Sequence, residues 1–289
     1  MNDDSDLASA GPERTPSLSG WRPPPRAETG RPDYGLDTPR LVATAFACAG
    51  GAAAAAALLG AVRVAGRRIP VLPALAWFAS AVCAAAGSSL VAYAKAGKFR
   101  ARDAMLDLVT WTGAERVLDV GTGGGLLMIG AAKRLTTGRA FGVDTWRADD
   151  LTNNNRENTM RNAFLEGVVD RVDVRFEDAR TLGFPSRSFD VVFSNLALHA
   201  IETRYGRDAA CREIARVLRP GGTAVVTDRA HVADYASAFR EADLDVRVLP
   251  PSFASFTYLR TLVATKAPVI DLIGSRGAVA ATNGERSAP

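Results

Sequence analysis

Four glycines in five positions, Gly121-Thr122-Gly123-Gly124-Gly125, follow the strand-like stretch Arg116-Val117-Leu118-Asp119-Val120 and precede the apolar run Leu126-Leu127-Met128-Ile129. A strand, a glycine turn and a helix in that order confine the chain to an open α/β sheet whose turn backbone can approach a ligand closely. The glycines fall as GxGxG. A dinucleotide fingerprint would place Gly or Ala at position 126, where this chain has Leu126. Asp119 stands two residues before the first glycine. An acid there suits a cationic sulfonium ligand with an amino-acid group better than a pyrophosphate, although an Asp beside a turn can also serve only to cap it.

Strand and helix patterns alternate downstream. Residues 116–120, 140–143, 172–176, 189–194, 223–227, 245–249 and 256–266 read as strands. Residues 126–135, 154–166, 208–218 and 232–242 read as helices, and residues 99–111 as an amphipathic helix ahead of them. The expected fold class is α/β: a Rossmann-like, doubly wound, seven-stranded sheet with helices on both faces. The two closing strands are expected as an antiparallel addition at one edge. Polar groups collect at the strand ends, where ligands bind in such sheets. Asp144 ends the second strand, about 20 residues past the turn, where an acid can hold both ribose hydroxyls. Asp178 follows the third strand and can face an adenine amino group, with Glu177 as the alternative. Ser194 and Asn195 end the fourth. Trp146 is read either as a ring stacked on adenine or as packing beneath the Asp149-Asp150 loop.

The first 40 residues are rich in Pro, Ser, Gly, Asp and Arg and read as disordered. Two uncharged apolar stretches follow, residues 41–62 and 71–94. Each reaches the roughly 20 residues that cross a bilayer core as a helix. Trp77 and Tyr93 suit the interface, and Arg63, Arg67, Arg68, Lys95, Lys98, Arg100 and Arg102 flank the spans. Residues 41–94 are therefore expected to form a transmembrane hairpin. The competing reading is a pair of alanine-rich core helices. Residues 97–266 form the α/β domain, and residues 267–289 a flexible tail. A net charge of +4 argues against a dedicated nucleic-acid binder. Cys48, Cys83 and Cys211 show no metal-ligand spacing and no disulfide framework.

Taken in order, VLDVGTGGG, GVD, EDA, SFDVVFSNLALHAI and ARVLRPGG resemble the class I S-adenosylmethionine-dependent methyltransferases. Within them the chain is similar to the ubiquinone/menaquinone-methyltransferase-like group over residues 97–266. The resemblance implies S-adenosyl-L-methionine as cofactor. It places Asp119, Gly121 and Gly123 around the methionine part, Asp144 on the ribose, and Asp178 with the Ala179 backbone on the adenine. Ser194 or Asn195 stands beside the transferring methyl. His199, just beyond the fourth strand, is the candidate catalytic base, or else a structural histidine bonded to the backbone. His231 is read as solvated or capping, and Tyr205 and Arg204 as residues that could line an acceptor pocket. No metal site is expected. The implied activity is methyl transfer to a small-molecule or lipid-like acceptor at the membrane. A membrane-anchored interaction protein without turnover and an NAD-dependent oxidoreductase are the competing classes. S-adenosylmethionine is made in the cytoplasm, so a multi-pass protein of the cell membrane with its catalytic domain facing the cytoplasm is expected. Reporters fused to the two ends of this chain should both give cytoplasmic signals; an external signal from the C-terminal fusion would overturn that topology.

Overall fold

The computed structural model describes residues 30–61, 63–64, 67–68, 70–147, 151–253 and 255–268. Seven strands make one sheet: β1 (Arg116–Val120), β2 (Arg139–Asp144), β3 (Val172–Phe176), β4 (Phe189–Asn195), β5 (Leu218–Asp228), β6 (Leu244–Val248) and β7 (Arg260–Lys266). Their order is β3-β2-β1-β4-β5-β7-β6. Strands β1 to β5 are parallel, and β7 runs antiparallel to both of its neighbours. This is the Rossmann-like class anticipated above, with one difference. Only the last strand reverses direction, and it inserts between β5 and β6 instead of adding to the edge. The chain leaves β1 towards one side and returns through β4 on the other, so the glycine turn lies at the point where strand order switches.

The central strands are buried on both faces, which is why they read as continuous apolar runs rather than alternating ones. Along β1, Val117 points to one side and Leu118 to the other. Val117, Val191 and Phe193 pack with Met128, Ile129 and Met160 of α4 (Leu126–Ala132) and α5 (Arg156–Leu165). On the opposite face Leu118, Phe141 and Val192 pack with Cys211, Ile214, Tyr235 and Phe239 of α6 (Arg204–Val217) and α7 (Val232–Glu241). Helix α5 begins at Asn155, whose side chain accepts from Asn158 N at 2.8 Å. Thr203 caps α6 in the same way through Gly206 N. Both caps satisfy amide groups that the first helical turn leaves unpaired.

Upstream, α1 (Pro39–Ala61) and α2 (Val71–Ala92) pack against each other, with a two-residue antiparallel ribbon, Arg63–Val64 and Arg67–Arg68, between them. Small residues allow the approach. Gly87 faces the Phe46 ring, and buried Ser80 Oγ donates to Ala49 O at 2.8 Å. Both helices are long and apolar enough to cross a membrane, and few of their residues are buried inside the protein. Leu41, Phe46, Leu58, Leu72, Leu75, Trp77, Phe78 and Val82 are all substantially exposed. That arrangement departs from a pair of core helices, whose apolar faces would be enclosed.

α2 does not stop at the end of its apolar run. It continues through a π-helical turn, Tyr93–Gly97, into α3 (Lys98–Leu106). The helix expected over residues 99–111 ends at Leu106, and Leu108 and Val109 pack on the sheet from beyond its last turn. Gly97 is required at the bend, because the Ser255 carbonyl passes where a Cβ would sit.

Residues 30–37, within the stretch expected to be disordered, lie as a strap against the α/β domain. Residues 1–29 and 269–289, and with them most of both predicted flexible segments, fall outside the described residues. Asp33 N donates to Asn162 Oδ1 at 2.8 Å, and Asn162 Nδ2 donates to Asp33 O and to Gly124 O. Tyr34 is buried, bonds Glu166 through its hydroxyl, and meets the Phe99 ring edge-on at 5.7 Å. Buried Lys98 donates to the carbonyls of Tyr34 and Gly35. The strap binds because these amides and carbonyls find partners spaced for them and because the Tyr34 ring joins the apolar core. Asn162→Ala should therefore destabilise the protein by about 1–3 kcal/mol through the buried groups left unpaired. Denaturant unfolding should show the loss, and cleavage within residues 30–38 should accelerate; unchanged values for both would mean that the strap is not held this way.

Candidate active site

The glycine turn is built from β1 outward. Gly121 N and Thr122 N both donate to Val143 O of β2, at 2.9 and 3.0 Å. Gly121, Gly123 and Gly125 have φ of +78°, +49° and +86°. A side chain at Gly121 would also collide with Ala197. Positive φ and close approach together explain the glycines. From behind, Thr159 Oγ1 and Asn162 Nδ2 of α5 donate to the carbonyls of Gly123 and Gly124.

Two acids brace the turn. Asp119, fully buried at the end of β1, takes Thr122 Oγ1 at 2.9 Å and Met128 N at 3.0 Å on one oxygen. Burial outweighs those bonds and pushes its carboxyl up to about 7, with the nearby Asp144 charge adding to the rise. Asp144, at the end of β2, accepts Gly123 N at 2.7 Å and Trp146 N at 2.6 Å. Asp119 and Asp144 both line a cavity of about 480 Å³ over the turn.

Gly121, Gly123, Asp178, Ala179 and Asn195 line the same cavity, so the structure brings the expected cofactor residues together from four strand ends and the turn. Ser194 does not line it: its side chain is buried within the sheet. Asp178 is engaged by Arg180, whose Nε and Nη2 both donate to it, and this pairing holds its carboxyl below the usual range. Glu177, the alternative, also lines the cavity and accepts Gly183 N at 2.9 Å. Trp146 lies outside the lining, its ring 6.2 Å from that of Phe176.

His199 follows β4 as expected, and its side chain is engaged by Asp228. Its ring Nδ1 lies 2.8 Å from Asp228 Oδ1, and its backbone N donates to Asp228 Oδ2 at 3.0 Å. Asp228 itself is fully buried and also receives Arg229 N and the Tyr235 hydroxyl. The neighbours Leu198 and Ala200 line the cavity, but His199 does not. His231 sits ahead of α7 with φ of +61°, its ring 3.6 Å from Asp234. Tyr205 is exposed and Arg204 pairs with Asp208 on the solvent side, so neither joins the cavity.

Four further lining residues come from the N-terminal part: Tyr34, Asp37, Tyr93 and Lys98. Asn195 Nδ2 lies 3.4 Å from the Tyr93 hydroxyl. Nothing local in the sequence marks these positions as site residues. Their partners stand between 61 and 132 positions away, and only the folded chain brings them together.

Residues 118–226 match the family model described as a methyltransferase domain. Over 133 residues the chain is 32% identical to the 27-O-demethylrifamycin SV methyltransferase of Amycolatopsis mediterranei, covering 45% of this chain and 44% of that protein. Over 157 residues it is 31% identical to methyltransferase GfsG of Streptomyces halstedii, covering 53% and 52% respectively. It is 33% identical over 119 residues to the ubiquinone/menaquinone biosynthesis C-methyltransferase UbiE of Hydrogenovibrio crunogenus, covering 39% of this chain and 41% of that protein. The chain spans about half the length of the curated relatives it matches.

S-adenosylmethionine is the cofactor this family implies, and the residues present fit it. The cavity presents the carboxylates of Asp119 and Asp144, and the buried side-chain oxygens of Asn154 and Asn195 have no hydrogen-bond partner among the described residues. The acceptors gathered beside the turn suit a ligand that brings an ammonium, a sulfonium and hydroxyl groups. A pyrophosphate would meet two carboxylates instead, which counts against a dinucleotide. Because a cation favours ionised Asp119, cofactor binding should release a proton below about pH 7, and affinity should rise with pH by at most about tenfold per unit until it levels off. The protein without cofactor should show the opposite trend: its stability falls from the ordinary carboxylate range up to about pH 7, since the folded state keeps a proton the unfolded chain has lost. Titration calorimetry in buffers of different ionisation enthalpy measures the release. The same affinity slope in Asp119→Asn would show that another group is responsible.

Proposed function

We propose that this chain is an S-adenosylmethionine-dependent methyltransferase, anchored in the cell membrane by α1 and α2 with its catalytic domain on the cytoplasmic side. Its acceptor is a small molecule or a lipid-like compound met at the membrane. The observation that carries the reading is the acceptor-rich cavity over the glycine turn, with buried Asp119 at its base. The uncovered apolar faces of α1 and α2 support the anchor. Relatives named for a rifamycin and for ubiquinone/menaquinone biosynthesis support a small-molecule acceptor.

Asp119, Gly121 and Gly123 surround the methionine part, Asp144 takes the ribose, and Asp178 with the Ala179 backbone takes the adenine. Asn195 stands beside the methionine moiety. When bound, the cofactor supplies an activated methyl group for in-line displacement. The protein's share is alignment of the acceptor and exclusion of water. Tyr34, Asp37, Tyr93 and Lys98 close the cavity from the N-terminal side. His199 acts as a positioning residue: through Asp228 it fixes the segment after β4, whose residues on both sides of it line the cavity. A proton acceptor at His199 is not required, since an acceptor need lose its proton early only when its nucleophile is weak.

Asp144→Ala should lose at least about tenfold in cofactor affinity, the scale of one charge-assisted hydrogen bond. Unchanged binding would sink the ribose assignment. Methyl-labelled cofactor supplied with the full chain and a membrane extract should label an extractable small molecule; binding without labelling of any membrane or soluble extract would favour a cofactor-binding protein without turnover.

A further inference from the structure

The segment between β6 and β7 carries three exposed aromatic side chains. Phe253 is 66% exposed, Phe256 42% and Tyr258 41%. Phe253 and Tyr258 lie ring against ring at 5.3 Å. Aromatic surface of this kind on a soluble face is uncommon and marks a contact.

Where the segment sits decides what it contacts. The carbonyl of Phe256 accepts a hydrogen bond from Ser89 Oγ, and Ser255 packs on Gly97. Ser89 belongs to α2 and lies within the uncharged apolar stretch, five residues before Ala94. At about 1.5 Å of rise per residue, Ser89 is roughly 8 Å inside the end of that stretch. If α2 spans a bilayer, a loop bonded to Ser89 is drawn to the level of the lipid interface. Exposed Lys95 and Arg100 follow on the same helical path, in the π turn and in α3, about 9 and 16 Å beyond Ser89 towards water, and the Arg100 guanidinium lies 4.8 Å over the Phe256 ring. Aromatic rings beside basic side chains match the composition of a membrane–water boundary whose lipids carry negative headgroups.

We propose that Phe253, Phe256 and Tyr258 form a second membrane contact, seated in the interfacial layer of an anionic bilayer beside the end of α2. The loop precedes β7 and follows β6, so it lies at the carboxyl edge of the sheet, the edge that carries the cofactor cavity. Its seating turns that edge towards the lipid. Tyr93, which lines the cavity, stands one residue beyond α2, so the cavity opens within about one helical turn of the apolar span. An acceptor dissolved in the bilayer then has a short path to the site. The proposal rests on reading α1 and α2 as membrane-spanning.

The test uses the full chain in vesicles of phosphatidylcholine and phosphatidylglycerol, with Cys48→Ser and Cys83→Ser as background. Cys211 is buried, with its thiol pushed up to about 12, and does not label. Nitroxides are placed one at a time through Phe253→Cys, Phe256→Cys, Val82→Cys and Asp170→Cys, and cofactor binding by each labelled protein confirms its fold. Exposed Val82 stands near the middle of the apolar stretch. The ratio of oxygen to nickel-chelate collision should be highest at 82, intermediate at 253 and 256, and lowest at 170, which lies before β3 at the opposite edge. A label at 82 in hydrocarbon with those at 253 and 256 as wet as 170 overturns the second contact and leaves the anchor standing. A wet label at 82 overturns both. Spin–spin broadening at 253 that persists on dilution with lipid would show a second copy on the patch and overturn the lipid contact.

Discussion

A single buried carboxylate joins the parts on which the site depends. Asp119 ends β1, bonds the hydroxyl of Thr122 in the turn, and takes the first free amide region of α4 at Met128. An ionised carboxylate without compensation costs several kcal/mol to bury. Two hydrogen bonds offset part of that cost, and burial still outweighs them and raises the carboxyl's pKa. The remainder favours a positive group in the cavity. The residue that fixes the turn's geometry thus also sets the charge of the ligand it prefers, and Asp144, bonded to Gly123 N, repeats the arrangement from the next strand.

The second constraint is the unbroken helical path from α2 through the π turn into α3. The path carries Tyr93 and Lys98 out of an apolar helix and into the cavity wall. Lys98 then gathers the carbonyls of Tyr34 and Gly35, and the strap that holds them leads into α1. Both helices of the hairpin are therefore attached to the cofactor cavity, one through a continuous helix and one through a few hydrogen-bonded residues.

Much of the α/β domain was legible in the residues because its signals are local. Apolar strands buried on two faces, a glycine turn that needs positive φ, and acids at strand ends are visible in windows of ten residues. His199 illustrates the limit. Its position after β4 suggested a base beside the acceptor, yet its ring pairs with Asp228, 29 positions later, and His199 is not among the residues that line the cavity. The placement of β7 between β5 and β6 is of the same kind. Two closing strands can be seen in sequence, but which of them pairs with β5 is a matter of long-range packing.

The sequence by itself determined the strand–turn–helix at residues 116–132, the acids Asp119 and Asp144 that face the turn, and two uncharged helices long enough to span a bilayer. These follow from side-chain period, backbone conformational freedom and hydrophobic length, all properties of neighbouring residues. Only the tertiary structure decided that residues 30–37 are bound, that Tyr93 and Lys98 close the cavity, and that the Phe256 loop meets α2. Each of those depends on polar groups distant in the chain finding partners when the sheet and the helices are already in place, and no local pattern encodes such a meeting.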